Sequence, residues 1–248
     1  MSDRVRAYYR DNPLMVSSPF GGVDSINRAL IHDVFARLGI DVAGKDVLDV
    51  GCGRGMMGRI VSELGGRYTG VDFVRPGEGG PDALADAQRL PFGDGAFDVV
   101  LCVDVFEHLP DERAAVVEFR RVLRPDGVVF LSTPNYANVA GLVKRWCETR
   151  GSYEKDTWAP FRNWQPQELE RPLTPRIVHE AFRQAGFGAS RCIGHAPEVG
   201  LGLFPWLEHP RTPEFLKFRL QRIFATIGLV VVRAWPGASL HTFWRIEG

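Results

Sequence analysis

Cysteine is scarce. Four stand alone among 248 residues, at 52, 102, 147 and 192, and no two form a CxxC pair. That spacing fits neither a zinc knuckle nor a disulfide framework; it suits reduced thiols in a cytosolic protein. Long apolar runs are missing as well. The longest nearly apolar stretch, Ile223 to Val232, has ten residues, about half of the ~20 that a membrane span requires. The opening MSDRVRAYYRDNP carries no apolar core of a secretory signal. Net charge is zero, with 30 Lys and Arg against 30 Asp and Glu. Without a global basic field, nucleic acid is not an expected partner. What is present is ordinary for a globular chain: 45% hydrophobic and 24% charged residues, enough to bury a substantial core and to exclude disorder as the main state.

Residues 1–22 are irregular, broken by Asn12-Pro13 and by Ser17-Ser18-Pro19-Phe20-Gly21-Gly22. Asp24 or Ser25 caps an expected helix to about Leu38, with apolar Ile26, Leu30, Val34 and Leu38 and a stop at Gly39. Short β-rich runs follow at 46–50, 67–72, 97–103 and 127–133, separated by helical stretches near 55–65 and 112–123. This alternation argues for an α/β fold, a parallel sheet covered by helices on both faces. The second half is less regular. Helices are expected from Val139 to Thr149, from Pro175 (behind a Thr174 cap) to Ala185, and over 214–235, with strands near 189–194 and 239–246. The organisation expected is one domain: N-terminal cap helices over 1–40, a core over 41–135, a lid insertion over 136–172 and a C-terminal completion over 173–248.

Val47-Leu48-Asp49-Val50-Gly51-Cys52-Gly53-Arg54-Gly55 is an apolar strand running into three alternating glycines, and helix formers follow from Met56. Glycine lets the backbone turn sharply and lets a ligand rest on main-chain N–H groups. A dinucleotide loop is spaced G-x-G-x-x-G; here the run is G-x-G-x-G. Asp49 stands two residues before the first glycine, where it repels a pyrophosphate and suits a ligand carrying positive charge. A nicotinamide oxidoreductase is thereby disfavoured. Tyr68-Thr69-Gly70-Val71-Asp72 ends the second strand in a carboxylate placed to grip ribose hydroxyls. Phe73 then offers a face to a purine, and Asp86, before Ala87, an acceptor for an exocyclic amine. The plain alternatives are a strand-end cap at Asp72 and a turn residue at Asp86. A buried strand, Phe97–Val103, leads into Asp104-Val105-Phe106-Glu107-His108-Leu109-Pro110-Asp111.

In this order the motifs VLDVGCGRG, YTGVD, ADAQRLPFGDGAFDVVLC, DVFEHLPD and RVLRPDGVVFLSTPN resemble the class I S-adenosylmethionine-dependent methyltransferases, close to the branch of ubiquinone and menaquinone biosynthesis methyltransferases. The resemblance covers about residues 46–135 and extends more weakly to AFRQAGF at 181–187. It implies a Rossmann-like three-layer sandwich with a mostly parallel seven-stranded sheet, the lid following the fifth strand. It implies S-adenosylmethionine as methyl donor, with Asp49, Gly51, Cys52, Gly53 and Gly55 around its amino-acid end. Asp72 would hold the ribose, Phe73, Asp86 and Ala87 the adenine, and Val103 would pass near the sulfonium. The arginine that the quinone enzymes carry before the first strand has only Arg28 as its nearest match, at a different spacing.

Methyl transfer to a hydroxyl requires removal of a proton. His108 is the expected base, since imidazole titrates near neutral pH and this one follows a strand's carboxyl end; Glu107 or Asp104 would orient it. Asp104, Glu107 and His108, at i, i+3 and i+4, would also converge on one helical face and could bind a divalent metal, an idea the resemblance supports in part. The plain alternative is a structural turn. The acceptor is expected to be a small molecule, a sugar or a lipid-linked hydroxyl compound. Methylation of nitrogen or carbon, and a catalytically silent cofactor-binding protein, are the competing readings. Tyr136, Trp146, Trp158 and Trp164 lie among Lys144, Arg145, Arg150 and Arg162, either a ligand surface or a small lid core. Residues 201–235, apolar with early Lys217, Arg219 and Arg222, would either pack against the pocket or make peripheral membrane contact.

Overall fold

The computed structural model describes residues 24–75, 80–150, 171–204 and 212–248. The first helix, α1 (Asp24–Leu38), precedes the alternating core: β1 (Asp46–Val50), α2 (Met56–Glu63), β2 (Arg67–Asp72), β3 (Ala83–Leu84), β4 (Phe97–Val103), α3 (Glu112–Val122) and β5 (Leu123–Pro134). Then come α4 (Val139–Thr149), α5 (Pro175–Gln184), β6 (Ser190–Gly194), α6 (Val199–Leu203), α7 (Glu214–Ala234) and β7 (His241–Glu247). The expected elements are all present within a few residues. The two-residue β3 and the short α6 were not anticipated. Of the expected lid, 151–170 lies outside the described residues, and so do the expected breakers at 12–22.

The seven strands lie in the order β3-β2-β1-β4-β5-β7-β6. β1 pairs in parallel with β2 and β4, and β4 with β5. β7 runs the other way against β5: Asn135 N–H donates to Leu240 O at one end and Gly248 N–H to Gly127 O at the other. β5 begins earlier than the apolar pattern suggests, because Leu123 pairs with Phe97 at the amino end of β4. Parallel strands covered on both faces read as continuous apolar runs rather than alternation. Val47, Leu48 and Val50 of β1, Val99 to Cys102 of β4 and Val129 to Leu131 of β5 are accordingly buried.

The helices bury one stripe each. α3 presents Ala115, Val116, Phe119 and Val122, and its N-terminus is capped by Asp111, which accepts from Ala114 N–H at 3.0 Å. Phe35 of α1 meets Phe130 edge-on at 4.9 Å. At the amino edge of the sheet, Asp46 accepts from Arg67 at 2.6 Å and Arg124 at 3.0 Å, and Arg124 also reaches Asp98. These ion pairs hold Asp46 at about 2, chiefly through the Arg67 and Arg124 hydrogen bonds. Cα clustering divides the chain into two compact units. One contains Met1–Ser132, His179–Arg191 and Trp244–Gly248; the other contains Thr133–Val178 and Cys192–Phe243.

Candidate functional site

The first unit builds the glycine loop. Gly51, Gly53 and Gly55 hold φ of 75°, 55° and 75°, left-handed backbone that a Cβ disfavours. The N–H groups of Gly51 and Cys52 both donate to Val71 O, at 2.8 and 3.0 Å, which docks the loop onto the end of β2. Residue 51 is also glycine for lack of space: a Cβ there would stand 2.4 Å from Val105 Cγ2. The loop therefore rests on the turn that carries Glu107 and His108.

Around this loop the structure gathers buried carboxyl groups. Asp72 Oδ2 accepts from Gly53 N–H at 2.9 Å and Oδ1 from Val74 N–H at 3.2 Å. Burial raises its pKa, with the backbone donors opposing. Asp49 is also buried, and burial pushes it up to about 7 against a hydrogen bond from Tyr68, whose hydroxyl donates to Oδ2 at 2.8 Å. Asp82, by contrast exposed, accepts at Oδ2 from Gly70 N–H at 2.8 Å. Tyr68 and Asp82 escaped the sequence reading. The available signal was glycine: a Cβ at Gly58 would lie 2.9 Å from the Tyr68 ring, and one at Gly70 would lie 2.7 Å from its hydroxyl. Cys52 is buried, and burial, with Asp49 next, raises its thiol well above the ordinary range. It is no thiolate nucleophile.

The remaining residues expected at the cofactor are placed as follows. Phe73 directly follows β2, and Val103 ends β4. Asp86 closes a turn: its Oδ1 accepts from Gln88 N–H at 3.0 Å and from Gln88 Nε2 at 2.8 Å, and Ala87 beside it is buried. Arg28 pairs with Glu63 at the last residue of α2, the end away from the glycine loop.

Past β4, Asp104 takes a left-handed φ of 52°, a conformation that Asp tolerates better than most side chains. Ser132 fixes it twice: Asp104 N–H donates to Ser132 O at 3.1 Å, and Ser132 Oγ donates to Asp104 Oδ1 at 2.8 Å. Only Phe106–His108 is helical, a single 3₁₀ turn. The expected convergence of Asp104, Glu107 and His108 on one helical face is therefore corrected. Asp104 lies outside the turn, so the i, i+3, i+4 spacing of an α-helix does not apply. Among the described residues no group of three or more His, Cys, Asp or Glu side chains comes together to hold a metal ion. Glu107 is buried with Oε1 3.5 Å from His108 Nε2, while His108 keeps 14% of its side chain exposed.

The second unit has a polar cluster of its own, which the sequence reading missed. Glu198 Oε2 accepts from Ser239 Oγ and from His241 N–H, both at 2.9 Å. The ring Nδ1 of His241 lies 3.3 Å from Oε1, and that of His195 lies 3.6 Å from it. Burial works to raise the Glu198 carboxyl, but the two imidazoles outweigh it and hold the group below the usual carboxylate range. Of the aromatic and basic residues noted before α5, Tyr136 is buried with Lys144 Nζ 4.9 Å from its ring centroid, and Arg150 lies over the exposed Trp146 at 4.2 Å. Trp158, Arg162 and Trp164 fall outside the described residues.

Fold and site together define the class of S-adenosylmethionine-dependent methyltransferases. The chain belongs to the methyltransferase domain family, whose sequence pattern matches residues 23–189. It is similar to the ubiquinone biosynthesis O-methyltransferase of Pseudomonas paraeruginosa, 35% identical over 135 residues that cover 48% of this chain and 56% of the relative. The protein of the same name from Idiomarina loihiensis is 36% identical over 148 residues, covering 52% and 57%. The chain thus spans about half the length of the curated relatives it matches. A SAM-dependent methyltransferase from Archaeoglobus fulgidus superposes with a TM-score of 0.56 at 18% identity, covering 89% of this chain and 93% of that one, a likeness of fold.

Proposed function

We propose that the protein transfers a methyl group from S-adenosylmethionine to a hydroxyl oxygen of a small-molecule, sugar or lipid-linked acceptor, with His108 as general base. The observation that carries this reading is the Gly51–Val105 contact, which sets the turn bearing His108 against the glycine loop within one unit. The donor set fits the cofactor. Asp49 and Asp72 are two buried acids facing a loop of left-handed glycines, and a ligand with cationic groups offsets the cost of ionising them.

When bound, the cofactor supplies a methyl group already activated by its sulfonium. The chain supplies orientation, dryness and a base. Gly51, Cys52, Gly53 and Gly55 would let the ligand approach the loop's backbone closely, their N–H groups being engaged by Val71, Asp72 and Cys52, and Asp49 would meet positive charge. A carboxylate has about four acceptor positions; at Asp72 the N–H groups of Gly53, Val74 and Phe73 act on it, and the ribose hydroxyls would share what remains. Phe73, Asp86 and Ala87 would take the adenine, and Val103 would pack near the sulfur. His108 accepts the hydroxyl proton as the new bond forms. Glu107, 3.5 Å from its ring, would orient it, and Asp104 holds the turn through Ser132. The relatives named as O-methyltransferases support oxygen over nitrogen or carbon as the methylated atom.

The test follows labelled methyl transfer to phenols with and without an isoprenoid tail. His108→Ala and His108→Gln are expected to lower kcat by at least about a hundredfold with the cofactor dissociation constant unchanged. Near-normal turnover in both variants overturns the base assignment. No helix among the described residues is long and apolar enough to cross a membrane. Peripheral contact through the 201–235 region belongs to the same proposal.

A further inference from the structure

Large hydrophobic side chains exposed to solvent are distributed very unevenly. Of the fourteen among the described residues, only Leu84 and Val117 belong to the first unit. Half of the fourteen stand on one element, α7.

The two sides of α7 differ in kind. Its inner side is fixed by Gly228 and Val232: a Cβ at residue 228 would stand 2.3 Å from Ala196 O, and Val232 is buried against Ala196, Val199 and Ala238. The arc facing away from them carries Phe215, Ile223 and Val230, exposed by 69, 49 and 71%, with Phe218 and Leu229, at 62 and 59%, on its flank. Arg219, Arg222 and Arg233 are exposed among them. The helix has one acid, Glu214, which pairs with Lys217 at 2.8 Å. The outward face is therefore apolar and cationic with no acid to answer it.

That chemistry selects the occupant. A second copy of the same face would bring arginine against arginine. A helix face is convex, and a folded partner would need a matching groove lined with acids. A bilayer with anionic headgroups yields to a convex face instead: guanidinium groups snorkel to phosphates while aliphatic and aromatic side chains reach the acyl boundary. We propose that the outward face of α7 lies in the interface of an anionic lipid membrane, parallel to its plane over about 30 Å. The proposal deepens the peripheral-contact reading above and is independent of which acceptor is methylated.

Co-sedimentation of the full chain with phosphatidylglycerol-containing vesicles, against vesicles of phosphatidylcholine alone, tests it. Wild type is expected to bind the anionic vesicles at least tenfold more tightly. The pair Ile227→Asp and Val230→Asp should reduce that binding at least tenfold, and the pair Arg219→Glu and Arg222→Glu should abolish the preference for negative lipid. Thermal midpoints and the heat of S-adenosylmethionine binding should stay as in wild type, since these side chains are exposed and outside the glycine-loop unit. Equal binding to both vesicle types would keep peripheral contact and overturn the anionic partner. Failure to bind either, with a dimer that the two aspartates dissociate, would make the face a contact between copies and overturn both; failure with a monomer overturns both as well.

Discussion

Asp49 in the first unit and Glu198 in the second are both sheltered carboxyl groups, and their proton affinities move in opposite directions. Asp49 faces a phenol hydroxyl and other acids, and burial lifts it to about 7. Burial works on Glu198 too, yet His241 and His195 bring it below the ordinary range. Shelter alone decides neither outcome; what stands opposite the carboxyl does. One unit has its countercharge built in. The other leaves the positive charge to be delivered by a ligand, as expected of a binding site rather than a scaffold.

Three experiments would break or sharpen this contrast. The largest effect is expected from Glu198→Ala, which removes the carboxylate facing two imidazoles and the acceptor of the Ser239 hydroxyl; losing one partner of such a cluster costs roughly 3 kcal/mol, read as a lowered denaturant midpoint at unchanged slope. The lowered carboxyl stabilises the fold at pH above the usual carboxylate value, and that contribution disappears as pH falls below it. A midpoint unchanged at pH 7 would reduce the cluster to ornament. Asp49→Asn should do the reverse. Between its ordinary 3.8 and about 7, the folded group keeps a proton that the unfolded chain has released, so stability declines as pH rises. The substitution should remove that slope and raise stability at pH 8 by about 2 kcal/mol. In calorimetry at pH 7 with two buffers, wild type should release protons on binding S-adenosylmethionine and the variant should not; equal proton counts would refute the account. The smallest effect expected is from Asp72→Ala. A net loss of roughly 1.5 kcal/mol of charge-assisted hydrogen bonding to the sugar implies a cofactor dissociation constant raised about tenfold, and an unchanged constant would remove Asp72 from the ribose.

Much of the first unit was legible because its information is local. The G-x-G-x-G spacing, an acid ending the second strand and the apolar run into Glu107-His108 are each written within a few consecutive residues. The parts that were not legible depend on register between distant segments. Tyr68 reaches Asp49 across nineteen positions and His241 reaches Glu198 across forty-three; no periodicity encodes either meeting. The helical face expected for Asp104, Glu107 and His108 did not form for a related reason. A helical spacing was assumed where the chain turns through a left-handed residue held by Ser132, twenty-eight positions away. Sequence balanced α7 between packing and membrane contact; the structure shows a packed side at Gly228 and Val232 and an exposed side whose role the vesicle experiment tests.

The missing side chain at position 51 has a further consequence. With no gap between backbone and Val105, neither segment can shift without displacing the other, since close-packed contacts transmit strain. A displacement of the glycine loop would be passed to the segment that leads into Phe106–His108, so residues 51 and 105 are expected to tolerate exchange only as a matched pair.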